Sequence, residues 1–354
     1  MDFEFSDDQE RLAESVRRFL GDRAPLAYAR AHYDEHAVVD DVWQGLTDLG
    51  LVGMLAPESV GGAGMGLVDL ALGLGEMGRV VYPGPFAASA VGATTLLGEL
   101  ADDPVAADWL PQLASGTAIA AIAATDARGD AVRVGAGALS GEKTHVLDGI
   151  AADVLLVTTG PDAVVAVEPD APGVTVTPQP TVDGSRKFAT VILSGASGTP
   201  LDGNIGAALA AADDAFGVAA VLDGLGAAER ALEMTVEYAK ERQQFGRPIG
   251  SFQAVQHLCA DMLRAVELGR AAAYYAAWAC DHADPVERHR AATMARAFAA
   301  DGFYRVAANA IQVFGGIGFT WEHDAHLLYK RLLTLQHLGG SSSDHLAELA
   351  SIVF

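Results

Sequence analysis

The chain is short of positive charge. Its 354 residues carry 23 Lys and Arg against 46 Asp and Glu, a formal net charge of −23. Nucleic acid would be repelled by such a surface, because affinity for it comes largely from Lys and Arg on phosphate, so no nucleic-acid partner is expected. A polyanionic ligand would need a local basic patch, and none stands out; the acid excess reads as a solubilising surface. Cysteine is scarce as well. The two present, Cys259 and Cys280, fall in helical patterns with nothing to suggest secretion, so they read as reduced core thiols rather than a disulfide. Also missing is an uncharged, unbroken apolar run of the roughly 18 residues that a helical membrane span needs, so no membrane partner is expected. The opening MDFEFSDDQERL has neither a basic start nor an apolar core and does not read as a signal peptide. These absences together give the expectation of a cytoplasmic protein, and no metal site is expected.

What remains is a hydrophobic share of 51%, in a chain long enough for two or three units with their own cores. The first hundred residues read as helices. In SDDQERLAESVRRFL, Ser6 suits an N-cap, acids fill the first turn, and Leu12, Val16, Phe19 and Leu20 recur on one face. A second helix, DDVWQGLTDLGLVGM, is expected to end near Gly50, and LVDLALGLGEMGRVV again has helical spacing. Between them lies PESVGGAGMG; with no Lys-Ser/Thr following its glycines, it reads as a structural turn rather than a phosphate cradle. From about Ala118 to Leu201 the segments become short, rich in Val, Ile and Thr, and punctuated by Gly, Pro and Asp, as in a small β-barrel or sandwich. Helices return from about Ala207. The expected organisation is α+β: an N-terminal helical domain over 1–116, a middle β domain over 117–204 and a C-terminal helical bundle over 205–354.

Two motifs carry chemistry. ERQQFGRPIGSFQ, from Glu241, holds an Arg-x-x-Phe-Gly-x-Pro-Ile turn followed by Phe-Gln; QVFGGIGFTWEHD, from Gln312, holds Gln-x-x-Gly-Gly-x-Gly. In this order and spacing the sequence resembles the acyl-CoA dehydrogenase family along nearly its whole length, and PESVGGAGMG resembles that family's Pro-Glu-x-x-Gly-Gly-x-Gly turn. The resemblance implies helix–β–helix architecture ending in a four-helix bundle. It also implies FAD held between two subunits: one subunit's β domain cradles the isoalloxazine and the neighbour's C-terminal helices take the ADP end. Carried over, the neighbour-facing set is Arg242, Phe245, Gln253, Gln312, Gly315 and Gly316. The residue types suit this. A guanidinium forks onto pyrophosphate oxygens, paired glycines let backbone approach phosphate or ribose, and an amide both donates and accepts. Singly, Arg242 would read as a charge complementing a helix end and Gly315-Gly316 as a helix C-cap.

The other half of the family pattern is eroded. Its β-domain loop reads TDARGD here, keeping Thr125. In GEKTHVLDG, Gly141 and Lys143 are in place, but His145 stands where the family's Trp packs on the flavin and Leu147 where a hydroxyl bonds its ring. The catalytic carboxylate is missing from both positions the family uses, which hold Phe216 and Gly339. Neither side chain can take a proton, so no residue of this chain is expected to be catalytic. Asp213 and Asp214 read as helix caps, His337 as a packed or polar surface residue, and Asp344 lies five residues past Gly339.

The reading that fits is a base-lacking subunit of a heteromeric acyl-CoA dehydrogenase. Its partner would be a homologous Glu-bearing subunit that binds the acyl-CoA, with a bulky acyl group such as a steroid side chain as the substrate class. Two others remain: a self-sufficient homomeric flavoenzyme using Asp213, Asp214 or His337, and a non-enzymatic scaffold of the same fold.

Overall fold

A computed structural model describes residues 5–135 and 137–353. The start of the N-terminal stretch and Ala136, within the expected strand segment AVRVGAGALSG, lie outside the described residues.

Helix α1 (Asp7–Arg23) opens with the expected cap: Ser6 accepts from the Gln9 N–H while the Gln9 side chain reaches back to the Ser6 N–H. Then come α2 (Leu26–Ala31), α3 (Asp41–Asp48) and α4 (Leu67–Arg79). Between α3 and α4, PESVGGAGMG forms a compact turn. Gly61 and Gly64 take positive φ, and a Cβ on Gly62 would run into the Ala56 carbonyl. The glycines are there for packing, as the sequence suggests. A π-helical stretch, Phe86–Ala93, leads into α5 (Thr94–Gly98) and α6 (Pro104–Ala114), the latter capped by Asp103.

The β region is a two-sheet sandwich. Its strands are β1 (Ala120–Ala123), β2 (Arg133–Gly135), β3 (Ala138–Leu147), β4 (Val154–Gly160), β5 (Ala163–Val167), β6 (Val174–Gln179), β7 (Phe188–Ala196) and β8 (Thr199–Pro200). One sheet has the order β1-β4-β5-β8 and the other β2-β3-β7-β6. Alternating Val, Leu and Ala from both sheets, among them Leu139, Val146, Leu155, Val157, Val165 and Val191, close a common core between them.

Helix α7 (Ile205–Glu241) follows, then a two-residue hairpin of β9 (Gln243–Gln244) and β10 (Arg247–Pro248), α8 (Gln253–His282), α9 (Pro285–Phe314), α10 (Ala325–Leu335) and α11 (Ser342–Val353). By length and composition alone α7 could cross a bilayer, contrary to the expectation from the sequence, yet 67% of its apolar window is buried inside the molecule. It is a core helix.

The chain divides into two compact units, His32–Leu70 with Pro83–Phe216, and Met1–Ala31 with Ala71–Tyr82 and Gly217–Phe354. In the first, α5 and α6 pack with β1, β4 and β5 on a core of Leu96, Leu97, Leu110, Val154 and Leu156. In the second, Arg331 of α10 is buried with its Nε and Nη2 both 2.8 Å from the Asp223 carboxylate of α7, and Nη2 also donates to the Tyr82 carbonyl. Such a pair fixes helix register through a fork–fork contact. Arg79 of α4 likewise bridges Glu76, Glu229 and Glu233. The two cysteines are half-buried on α8 and form no disulfide, rather than lying in the core.

Candidate functional site

The six candidate residues fall on two segments of the second unit, the turn from α7 into α8 and the end of α9. Helix α7 ends at Glu241, and the next N–H, of Arg242, still donates to the Tyr238 carbonyl at 2.8 Å. The Arg242 carbonyl then accepts from the Ile249 N–H at 2.7 Å, closing the hairpin at its base. At its tip Phe245 and Gly246 have φ of 54° and 78°. That is the left-handed pair a two-residue hairpin requires, and Gly246 meets it without strain. Phe245 does not; it is a bulky residue in a left-handed conformation, and it is 92% exposed. The turn type accounts for the conformation but not for placing so bulky and exposed an aromatic in it, and backbone strain of this kind collects where a ligand or partner is met. Phe252 supports the hairpin from below, edge-on to Phe245 at 6.1 Å and with the Arg247 guanidinium 4.2 Å from its ring. Gln253, exposed, begins α8 directly after it.

The second motif closes α9. Gln312 is exposed, and Gly315 (φ 66°) is the helix C-cap, its N–H donating to the Ile311 carbonyl. The C-cap role is therefore real for Gly315. Gly316 is different. It is exposed, its φ is not positive, and a Cβ there would meet nothing within 4 Å. The fold alone sets no requirement for glycine at 316, whereas a closely approaching phosphate or ribose would. Tyr238 of α7 contacts Phe314 of α9, ring centroids 4.9 Å apart, so the structure brings the two motifs together. Phe314 in turn meets His323 at 4.4 Å. Burial lowers the His323 pKa; Asp324 opposes this and Arg30 adds to it. Sequence reasoning missed Tyr238, Phe314 and His323, although Tyr238 lies one helical turn before Arg242 and Phe314 immediately precedes Gly315.

The chain's own flavin platform is closed on itself. Lys143 is 1% exposed, its Nζ 2.7 Å from an Asp126 carboxylate oxygen and 3.0 Å from both the Ala124 carbonyl and the Thr158 hydroxyl. Burial raises the Asp126 pKa, but bonds from Lys143 and the Val132 N–H outweigh it and hold the carboxyl below its ordinary range. The TDARGD loop pairs back along β3: Thr144 N–H donates to the Thr125 carbonyl and Ala127 N–H to the Glu142 carbonyl, both at 2.9 Å. At the bulge in β3, His145 has φ 55° and its N–H donates to the Gln179 side-chain oxygen at 2.9 Å, an acceptor shared with the Thr144 hydroxyl. Leu147 is buried. These residues present no hydroxyl where Leu147 stands and no indole where His145 stands, so they do not fit a flavin ring. The exposed Arg242 guanidinium, the Gln253 and Gln312 amides and the open backbone at Gly316 are the groups that could hold the nucleotide end.

No base emerges at either family position. Phe216 packs its side chain along Gly92 of the π-helical stretch. Gly339, with φ 75°, and Gly340, with φ 133°, form the turn between α10 and α11. Contrary to the expectation from the sequence, Asp213 and Asp214 are not caps. Helix α7 begins two turns earlier, where Asn204 accepts from the Ala207 N–H, and Asp214 is buried inside the helix. Asp344 accepts from both the N–H and the hydroxyl of Ser341, holding its carboxyl below its ordinary range and closing the start of α11. His337 is exposed at the end of α10. Among the described residues no cluster of His, Cys, Asp and Glu could hold a metal ion.

Residues 6–117 match the family model for the acyl-CoA dehydrogenase N-terminal domain, and residues 216–353 that for the C-terminal domain. Acyl-CoA dehydrogenase IpdE2 of Mycobacterium tuberculosis is 33% identical over 98% of this chain and 98% of its own length. Acyl-CoA dehydrogenase FadE34 of the same organism is 36% identical over 95% of this chain but only 47% of itself, so the chain spans about half of that relative. Among solved structures, a steroid acyl-CoA dehydrogenase variant, Tcur3481-Tcur3483, superposes with a TM-score of 0.87 at 29% identity, covering 98% of each chain. The ChsE4-ChsE5 complex from M. tuberculosis gives 0.88 at 28% identity, covering 99% and 98%. The chain belongs to the acyl-CoA dehydrogenase family. With membership comes the family's cofactor, FAD, and its general reaction, oxidation of a carbon–carbon bond in a CoA thioester.

Proposed function

We propose that this chain is the non-catalytic subunit of a heteromeric acyl-CoA dehydrogenase, lending nucleotide contacts to FAD bound on a homologous, Glu-bearing partner. The observation that carries the reading is Gly316: an exposed glycine without an internal reason, in the turn that follows Gln312, in a chain whose own ring platform and base positions hold other residues. When bound, FAD supplies the acceptor for the β-hydride of the acyl thioester. The partner's carboxylate takes the α-proton. This chain's residues hold and orient. Arg242 would fork onto the pyrophosphate, Gln253 and Gln312 would pair with polar nucleotide atoms, and Gly315-Gly316 would admit the cofactor to backbone distance. Phe245 would cover the junction against water. The similar ChsE4-ChsE5 complex and the two-component name of the steroid dehydrogenase support an obligate pair and a bulky, steroid-like acyl group as substrate class. FadE34 adds support, since a relative twice as long leaves room for a second such unit in one chain.

The test is co-expression with acyl-CoA dehydrogenase genes encoded nearby. Flavin absorbance and acyl-CoA oxidation should appear only with a Glu-bearing partner. Arg242→Ala should then weaken FAD retention by about 10- to 100-fold, the value of a charge-assisted bond. Yellow, active protein from this chain alone would overturn the reading.

A further inference from the structure

Arg242 and Gly315-Gly316 lie far apart in sequence, on different helices, yet must meet one ligand within fractions of an ångström if they act together. Three rings join them. Tyr238 sits one turn before Arg242 and its carbonyl accepts the Arg242 N–H at 2.8 Å, so any movement of Tyr238 moves the arginine backbone. Phe314 lies between Gln312 and Gly315, is 5% exposed, and touches Tyr238 on one side (4.9 Å, interplanar 47°) and His323 on the other (4.4 Å, 52°). The chain folds back beneath Phe314 through Gly318, where a Cβ would lie 2.9 Å from the Phe314 Cβ. His323 is fixed as well: its Nδ1 accepts from the Ala325 N–H at 3.1 Å, and the adjoining Asp324 pairs with Arg30 of α2 at 2.5 Å. An acceptor Nδ1 makes the ring neutral, with its proton on Nε2.

We infer that Phe314, clamped between Tyr238 and His323, is a positioning residue that sets the spacing between the Arg242 hairpin and the Gly315-Gly316 turn, and so the fit of this arm to the flavin nucleotide. The inference rests on the shared-site reading above. Tilted ring contacts of this kind are directional as well as apolar, so an aliphatic replacement keeps the apolar character and loses the ring contact and its angle.

The experiment uses the co-purified complex, stripped of flavin and titrated with FAD, with assembly followed by size-exclusion chromatography. Phe314→Leu should leave the two chains associated and raise the FAD dissociation constant at least about tenfold, equivalent to roughly 1.4 kcal/mol. Should Phe314→Leu not fold, His323→Leu makes the same cut from the other side, and His323→Phe, which keeps a ring, should restore near-wild-type affinity. Unchanged FAD affinity in an assembled His323→Leu or Phe314→Leu complex would overturn the inference. Arg242→Ala separates the two levels. If it loses flavin while the ring variants do not, only the positioning role falls; if it too retains flavin, the shared-site reading falls first.

Discussion

In the β-sandwich Lys143 is buried on Asp126, Ala124 and Thr158, and the TDARGD loop pairs along β3; Arg242, Phe245, Gln253, Gln312, Gly315 and Gly316 are all exposed. Both segments carry family motifs, so resemblance alone does not separate them. Satisfaction does. A buried ammonium with three partners and a loop paired along a strand are complete without a ligand, whereas a strained exposed Phe245 and an unconstrained Gly316 are incomplete in the single chain. What a subunit still needs from outside is visible in what its fold fails to explain.

The contrast can be broken at three strengths. The largest effect should come from Lys143→Met. It removes the donor to the Thr158 hydroxyl and one of the two donors to the Ala124 carbonyl, which keeps the Thr158 hydroxyl at 3.1 Å, and should cost about 1–3 kcal/mol in urea denaturation, less than a fully buried pair because Asp126 stays partly in water. Flavin bound per folded complex should not change; a loss of flavin would mean the platform is not closed after all. Gly316→Ala should do the reverse. Stability should stay within about 0.5 kcal/mol of the parent, while FAD affinity in the complex falls about tenfold. An alanine tolerated at 316 with full flavin affinity would remove the main support for close cofactor approach.

The smallest effect concerns pH. His323 and His326 are both held below their ordinary value of 6.5. For His326 the causes are burial first, then Lys330 and Arg30; the Trp321 backbone and Asp324 oppose them. With the folded pKa depressed, the unfolded chain binds more protons between that value and about 6.5, so stability rises with pH across this window and falls as pH drops below 6.5. His326→Phe, which keeps the stack on Trp321, should flatten the fall in melting temperature as pH drops below about 6.5. An unaltered slope would mean other groups carry it.

The helices were legible because their apolar spacing is strong and their caps are local: Ser6 announces α1, and Gly50 with φ 81° stops α3. The sandwich was legible from short Val-rich runs between turn residues. The nucleotide arm was legible because hairpin and C-cap chemistry both fix residue types within a few positions. The ring stack was not, since Tyr238, Phe314 and His323 meet only through tertiary packing. Nor was the burial of Lys143, whose partners Asp126 and Thr158 lie on other strands and loops. Asp213 and Asp214 misled because an alanine-rich segment gives little sign of where α7 begins, and caps can be recognised only once a start is known.

The turn at Gly339 carries a consequence for how such a subunit could change over evolutionary time. Its φ of 75° belongs to glycine. Gly339→Glu would pay about 1–2 kcal/mol of backbone strain before the new carboxylate met any substrate, and it would still face a chain without a ring platform. On the shared-site reading proposed above, a first step back toward catalysis would thus be uphill and without reward. A division of labour between two such chains, once reached, tends to hold itself in place.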